Sequence, residues 1–437
     1  MYKLWDNLCL HKKEINKGDV MTTLSAVDSK GKTLPADEVT SLPGIGKVAT
    51  KQFAGYESIT GYYYPKTKTG NAESLFYWFV GAEDYENKPT IIWSNGGPGS
   101  SSFWGFFIEN GPYQIDSATE PKLSLREHAW NNEANYMIFE HPLSVTLSFA
   151  HDESDLPETV EEGIEQYYQA LVNFMARHPE IAKNPIILAG ESYAGTYLPL
   201  LANAILKGNK SKESPNLDLK AMVLMDAWVD PYTQMSTDTE YALTHGLISA
   251  REKKKLDKQF KHNYPALNAE IQKICGLVMM NTAYKSNSDI NLNSVLEYLN
   301  RDDVRKALHI ESNVKLTESW SAGISNNYQP EVNKSFRKLI NKLLDENLQT
   351  IVISGLNDAK DCNFLGTSKW LDKLKGKNAN AFHNAPTKQW VMGENEPVLG
   401  YLQESKKLTW AKILNAGHMA AMDQPQIIKL LKEQIGF

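Results

Sequence analysis

Six short apolar runs, separated by longer amphipathic stretches, constrain the fold of this chain more than any other feature. They are "TIIWS" (90–94), "NYMIFE" (135–140), "PIILAG" (185–190), "AMVLMD" (221–226), "TIVISG" (350–355) and "TWAKIL" (409–414). They are rich in Ile, Val and Leu, as strands buried on both faces should be. Between them, stretches such as "VEEGIEQYYQALVNFMARHPE" (160–180) and "KSFRKLINKLLDEN" (334–347) carry apolar residues at helical spacing. Strand alternating with helix predicts an α/β fold with a mostly parallel central sheet.

Two segments depart from that rhythm. Residues 1–37 are polar and read as an N-terminal extension, with no apolar segment of signal-peptide type. Residues from about 237 to 330 carry "REKKKLDKQFKH" and "LEYLNRDDVRKALH", which read as a helical insertion between two sheet strands. Their lysine runs are expected to be solvated helix faces. There is no internal repeat and no low-complexity tract.

Bulk composition narrows the function classes. The 437 residues are 42% hydrophobic and 22% charged, values of a globular protein. Net charge is -6 with both signs interspersed, which gives no basic surface for nucleic acid or anionic lipid. No apolar run approaches the roughly 18 residues of a membrane span. Cys9, Cys275 and Cys362 are too few and too scattered for a disulfide framework, and free thiols are expected. Asn209 and Asn333 each open an N-K-S triplet, a pattern frequent by chance.

In an open parallel sheet, chemistry collects beyond the carboxyl ends of the strands. "PIILAG" leads into "ESYAG", presenting Ser192. "TIVISG" leads into "LNDAKD", and "TWAKIL" leads into "NAGHMAAMDQP" with His418. Ser, Asp and His therefore follow three strands in the order of the nucleophile-elbow hydrolases. A serine hydroxyl needs a positioned base, and the base needs a third group to fix its tautomer. Gly190 gives the elbow room, but Ala194 stands where the G-x-S-x-G pattern has its second glycine, with Gly195 one residue later. The loop "WSNGGPGSSSFWGFFIENGPY" (93–113) suits an oxyanion hole, with one donor expected from Gly97 and the other from Tyr193. His141 also follows a strand and is a weaker candidate base. "PGIGKVA" (43–49) mimics a dinucleotide fingerprint but does not follow a strand. No His/Cys/Asp cluster has metal-ligand spacing, and no cofactor or metal is expected.

"NGGPGSSS", "GESYAG" and "AGHMAAMDQP" resemble the serine carboxypeptidases, acid-active exopeptidases on the α/β-hydrolase fold. "VTSLPG" (39–44), "FAGYESI" (53–59), "SLFYWFV" (74–80), "WNNEANYMIFEHP" (130–142), "AWVDPYTQ" (227–234) and "YLNRDDVRKALH" (298–309) extend the resemblance over about 38–437. The resemblance implies Ser192 as nucleophile and His418 as base. It implies Trp93, Asn95, Glu109 and Glu191 as the set that binds a peptide's free C-terminal carboxylate. Three departures stand out. The family's "ESPVGVGFSY" is here "EHPLSVTLSF" (140–149), and its "NGGPGCSS" has Ser100 in place of Cys, so the disulfide of that Cys is absent. The acid loop, "GLNDAKDCN" (355–363), is one residue longer before Cys362 than the family's G-D-x-D-x-x-C-N. Counting from the strand selects Asp358; counting back from Cys362 reaches Ala359; Asp361 is the second candidate. In relatives a cysteine at the place of Cys362 lies near the substrate site.

The expected function is a serine-type carboxypeptidase acting on peptides with a free C-terminus and favoured by acid. An acyltransferase or esterase on the same scaffold, and an inactive binding protein using the same cleft, are the alternatives. Oligomeric state is left open by the sequence.

Overall fold

The computed structural model describes residues 36–437 except 117–120, 212–214, 262, 276–279, 285–291, 312–313, 315, 317 and 360. The N-terminal extension predicted over 1–37, with Cys9, therefore lies almost wholly outside the described residues, as does the side chain of Cys275.

A ten-stranded sheet forms the centre. Its strands in chain order are β1 (Gln52–Ser58), β2 (Ser74–Val80), β3 (Thr90–Ser94), β4 (Asn135–Phe139), β5 (Ile186–Glu191), β6 (Leu219–Met225), β7 (Gln349–Gly355), β8 (Thr387–Val391), β9 (Val398–Glu404) and β10 (Leu408–Ile413). They are arranged 8-9-10-7-6-5-3-4-2-1. The six strands from β10 to β4 in that order pair parallel. They are the six apolar runs of the sequence. The outer pairs β1/β2, β2/β4, β8/β9 and β9/β10 are antiparallel, so the sheet is mixed at its margins.

Helices cover both faces, which is why the inner strands lack polar alternation. On β3, Ile92 joins one apolar cluster, with Val160, Leu171 and Phe174 of α1 (Val160–Arg177) and Leu198 and Leu201 of α2 (Ala194–Gly208). Its neighbours Ile91 and Trp93 join the other, with Ile427, Leu430 and Leu431 of the C-terminal helix. Thr159 caps α1 by accepting the Glu162 amide at 3.1 Å.

Between β6 and β7 the described residues form only helices, among them Asp238–Thr244, Ala250–Phe260 and Asn293–Leu299. The Ala250 helix has a full capping box, with Ser249 and Glu252 exchanging hydrogen bonds. This segment has a small apolar core of its own: Tyr241, Ala242, Ile248, Leu256, Leu267 and Ile271. Ala359 from the acid loop joins that core, which gives the extra residue of the loop a packing place.

Candidate active site

Glu191 ends β5, and the chain then turns so sharply that Ser192 adopts φ +59, a costly conformation for a non-glycine residue. The turn is held from outside. Ser192 N–H donates to Met225 O at 3.1 Å, and Ser192 O accepts from Trp228 N at 2.7 Å. Glycine is required on both sides. A Cβ at Gly190 would lie 2.2 Å from Ser94 O, and one at Gly195 would lie 2.7 Å from Trp228 N. The close approach that needs the second glycine has thus moved one residue on, and Ala194 is tolerated.

The glycine-rich loop lies directly against this elbow. A Cβ at Gly96 would meet Tyr193 N at 2.3 Å. Gly97 has φ +109, open to glycine, and precedes a cis bond to Pro98. The loop is fixed at its far end by Glu140, which accepts from Ser101 Oγ at 2.7 Å and Ser102 N at 2.8 Å. Burial pushes the Glu140 carboxyl up to about 8. The end of the insertion closes over the same loop: Ser321 N donates to Gly99 O, Ser101 N to Ser319 O, and Trp320 Nε1 to Pro98 O at 3.1 Å.

The loops after β7 and β10 cross in contact. Gly355 has no room for a Cβ, which would lie 2.1 Å from Gly417 O, and Asn357 N donates to Ala416 O at 2.8 Å. The crossing brings His418 Nδ1 to 2.9 Å from Asp358 Oδ2, both residues being buried. His418 Nε2 is buried and has no hydrogen-bond partner among the described residues. Asp361 instead lies with its Oδ1 3.3 Å from Cys362 Sγ. Segment Met280–Tyr284 of the insertion holds both loops. His418 N donates to Met280 O at 2.6 Å and Thr282 N to Asn357 O at 3.0 Å, while Asp423 Oδ2 accepts from Asn281 Nδ2 and Gly417 N, both at 2.8 Å.

The acids expected beside the serine do meet. A single turn of π-helix, Trp104–Glu109, carries Glu109 inward, and wide turns of this kind recur at functional sites. Asn95 Oδ1 accepts from Trp93 Nε1 at 2.8 Å and Gly105 N at 2.9 Å. With its oxygen so occupied, the Asn95 amide must point its NH2 group outward. That group forks, 3.0 Å to Glu109 Oε1 and 3.0 Å to Glu191 Oε1. The shared Asn95 amide thus draws the two carboxyls side by side, close enough to act on one another. Burial raises the Glu109 carboxyl above its ordinary range. Two carboxyls this close do not both ionise readily, so the pair retains a proton. The Trp93 N–H is committed to Asn95; it orients the amide and does not reach outward.

His141, the weaker candidate base, is sealed away. It stacks on Tyr167 at 4.5 Å and meets the edge of Tyr197, and neither ring nitrogen has a partner among the described residues. Burial pushes its pKa down to about 3. Cys362 is buried and forms no disulfide among the described residues. It lies close enough to Asp358 and His418 that one ligand atom from each falls within 4.8 Å of the others. Sequence spacing gives no sign of that cluster because two separate loops supply it, and two of its three members already bond to each other.

Other residues of the site carry no sequence signal. Arg126 donates to Phe107 O at 2.6 Å and Gly111 O at 3.1 Å, bracing the turn that bears Glu109. Asp226 closes an apolar strand run and Asp423 looks like an ordinary acid in the sequence, and only the fold brings them to the Asp358 and His418 loops.

A parallel-centred sheet with a strained serine elbow and an Asp–His pair on the next loops defines an α/β hydrolase. A model of the serine carboxypeptidase family matches residues 43–294 and 277–435. Serine carboxypeptidase-like 49 from Arabidopsis thaliana is 30% identical over 405 residues, 85% of this chain and 75% of the relative. Carboxypeptidase Y homolog A from Neurospora crassa is 29% identical over 425 residues, 88% of this chain and 71% of the relative. The chain belongs to the serine carboxypeptidase family, and it is a serine-type carboxypeptidase. A prohormone-processing carboxypeptidase from Saccharomyces cerevisiae superposes with TM-score 0.79 at 22% identity, over 92% of this chain and 96% of that one, which shows the shared fold. Among the described residues no helix is long and apolar enough to cross a membrane.

Proposed function

We propose that Ser192, His418 and Asp358 carry out the hydrolysis, and that Glu109, Glu191 and Asn95 select a free peptide C-terminus. His418 Nε2 takes the Ser192 proton as Oγ bonds to the carbonyl carbon of the last peptide bond. The resulting oxyanion is held by the Gly97 and Tyr193 N–H groups. The C–N bond then breaks, His418 returns the proton to the leaving amine, and water hydrolyses the acyl-enzyme by the same route. Asp358 keeps Nδ1–H on its own side, leaving Nε2 as the base.

One observation carries the substrate reading: the Asn95 amide is forked between two buried carboxyls. Both of its hydrogens are committed, so the group left to meet a substrate carboxylate is the proton that the acid pair retains, which turns from the neighbouring carboxyl to the substrate on binding. A protonated carboxyl donates a hydrogen bond to that carboxylate, whereas a doubly ionised pair repels it. Binding therefore favours acid. The insertion, through Ser319–Ser321 and Met280–Tyr284, roofs the site.

A fluorophosphonate tests the nucleophile. Stoichiometric labelling at Ser192, with amino-acid release abolished in Ser192→Ala, is expected. A folded chain that resists labelling contradicts the reading.

A further inference from the structure

The carboxyl end of β6 lies between the serine elbow and the acid turn and bonds to both. Met225 O accepts the Ser192 amide at 3.1 Å, and Trp228 N donates to Ser192 O at 2.7 Å. Between them, Asp226 N–H donates to Ile353 O at 2.8 Å. The Asp226 carboxyl oxygens lie 2.9 and 3.2 Å from Gly355 N. Gly355 opens the turn that closes with Asp358 N on Gly355 O at 3.2 Å, and it is where the acid and base loops touch. Asp226 does this at φ +37, a strained conformation for a residue with a side chain, and it is fully buried.

The acid is conspicuous because the bonding does not require one. A neutral acceptor serves the Gly355 amide equally well. Among the described residues, the charged groups that act on Asp226 include Asp358 from the β7 turn, Glu191 at the end of β5 and Asp423 from the segment after His418, each of them acidic. The Tyr241 phenol reaches the same place from the insertion, its OH donating to Leu356 O at 2.8 Å. Burial, reinforced by the Asp358 charge, holds the Asp226 carboxyl well above the usual carboxylate range.

We propose that Asp226 is a positioning residue of the acid–base pair, whose buried carboxyl, held on the Gly355 amide, keeps the Asp358 turn in register with the Ser192 elbow. The proposal rests on the Ser192–His418–Asp358 reading above. A neutral acid adds no charge beside the imidazolium formed in the reaction. An ionised one would stabilise that cation and raise the pH at which His418 loses its proton.

The test is kcat and KM for a blocked dipeptide, across pH, in the wild type, Ser192→Ala, Asp226→Asn and Asp226→Ala. Release that persists in Ser192→Ala defeats the underlying site reading, independently of Asp226. With that control satisfied, Asp226→Asn is expected to keep kcat within about threefold, with the acid limb of kcat/KM moved by less than about 0.3 pH unit. Asp226→Ala is expected to lower kcat roughly 10- to 100-fold with KM nearly constant, the signature of lost preorganisation. A limb displaced by about a full unit in Asp226→Asn overturns neutrality. A kcat within about twofold of wild type in folded Asp226→Ala overturns positioning. Should the alanine variant not fold, Asp226→Gly removes the carboxyl while relieving the backbone, and the same kcat criterion applies.

Discussion

Glu140 and His141 are adjacent, fully buried and opposed in their pH response. In the unfolded chain His141 takes up a proton below its ordinary 6.5, which the folded chain refuses down to about 3. Stability therefore falls on acidification across that window. Glu140 in the unfolded chain loses a proton above its ordinary 4.5, which the folded chain keeps up to about 8. Stability therefore falls as pH rises across that second window. Each slope is at most about 1.4 kcal/mol per pH unit, against a total of roughly 5–15 kcal/mol. From 4.5 to 6.5 the two slopes cancel, so their joint contribution is level there and declines on either side. The perturbation that isolates one arm is His141→Phe, which keeps a ring between Tyr167 and Tyr197 and removes both unpartnered nitrogens. Relative to wild type, this variant should gain about 1.4 kcal/mol for each pH unit below about 6.5. Urea unfolding at a series of pH values, followed by tryptophan fluorescence, reads the difference directly. A variant-minus-wild-type stability that stays constant with pH in that window would refute the sealed, neutral histidine.

Two further outcomes are expected. Thr146 sits at φ +38 with its hydroxyl buried and unpartnered among the described residues, where the family pattern has glycine. Thr146→Gly should raise stability by about 1 kcal/mol or more, seen as a higher urea midpoint; a lower midpoint sinks the strain argument. Asp358→Asn should lower kcat by about 10⁴-fold, whereas Asp361→Asn should stay within a few-fold; the reverse order would reassign the acid.

The parallel core was legible because strands buried on both faces leave an unmistakable signal. "PIILAG" and "TIVISG" are apolar throughout, and each became an inner strand. The margins were harder to read. β8, "TKQWV", buries only Trp390, so its composition resembles a loop. In the candidate site, Ser192 and His418 announce themselves by glycine and strand context. Which of Asp358 and Asp361 meets His418 could be seen only in three dimensions, because the extra residue is absorbed by packing Ala359 against the helices between β6 and β7. Asp226 and Arg126 were invisible for a related reason. Each acts on the backbone of a distant loop, and such contacts impose no local pattern.

The central claim is that a proton shared by Glu109 and Glu191 recognises the substrate's carboxylate. The most direct measurement is kcat/KM for a blocked dipeptide and for its C-terminal amide, across pH, in wild type and Glu191→Gln. Wild type should favour the free acid strongly at low pH. That preference should fall up to about tenfold per pH unit above the pair's upper titration, because one proton is linked to binding. In Glu191→Gln the dependence should flatten. A wild-type enzyme that cleaves acid and amide alike at every pH, or a Glu191→Gln profile that overlays it, would contradict the account.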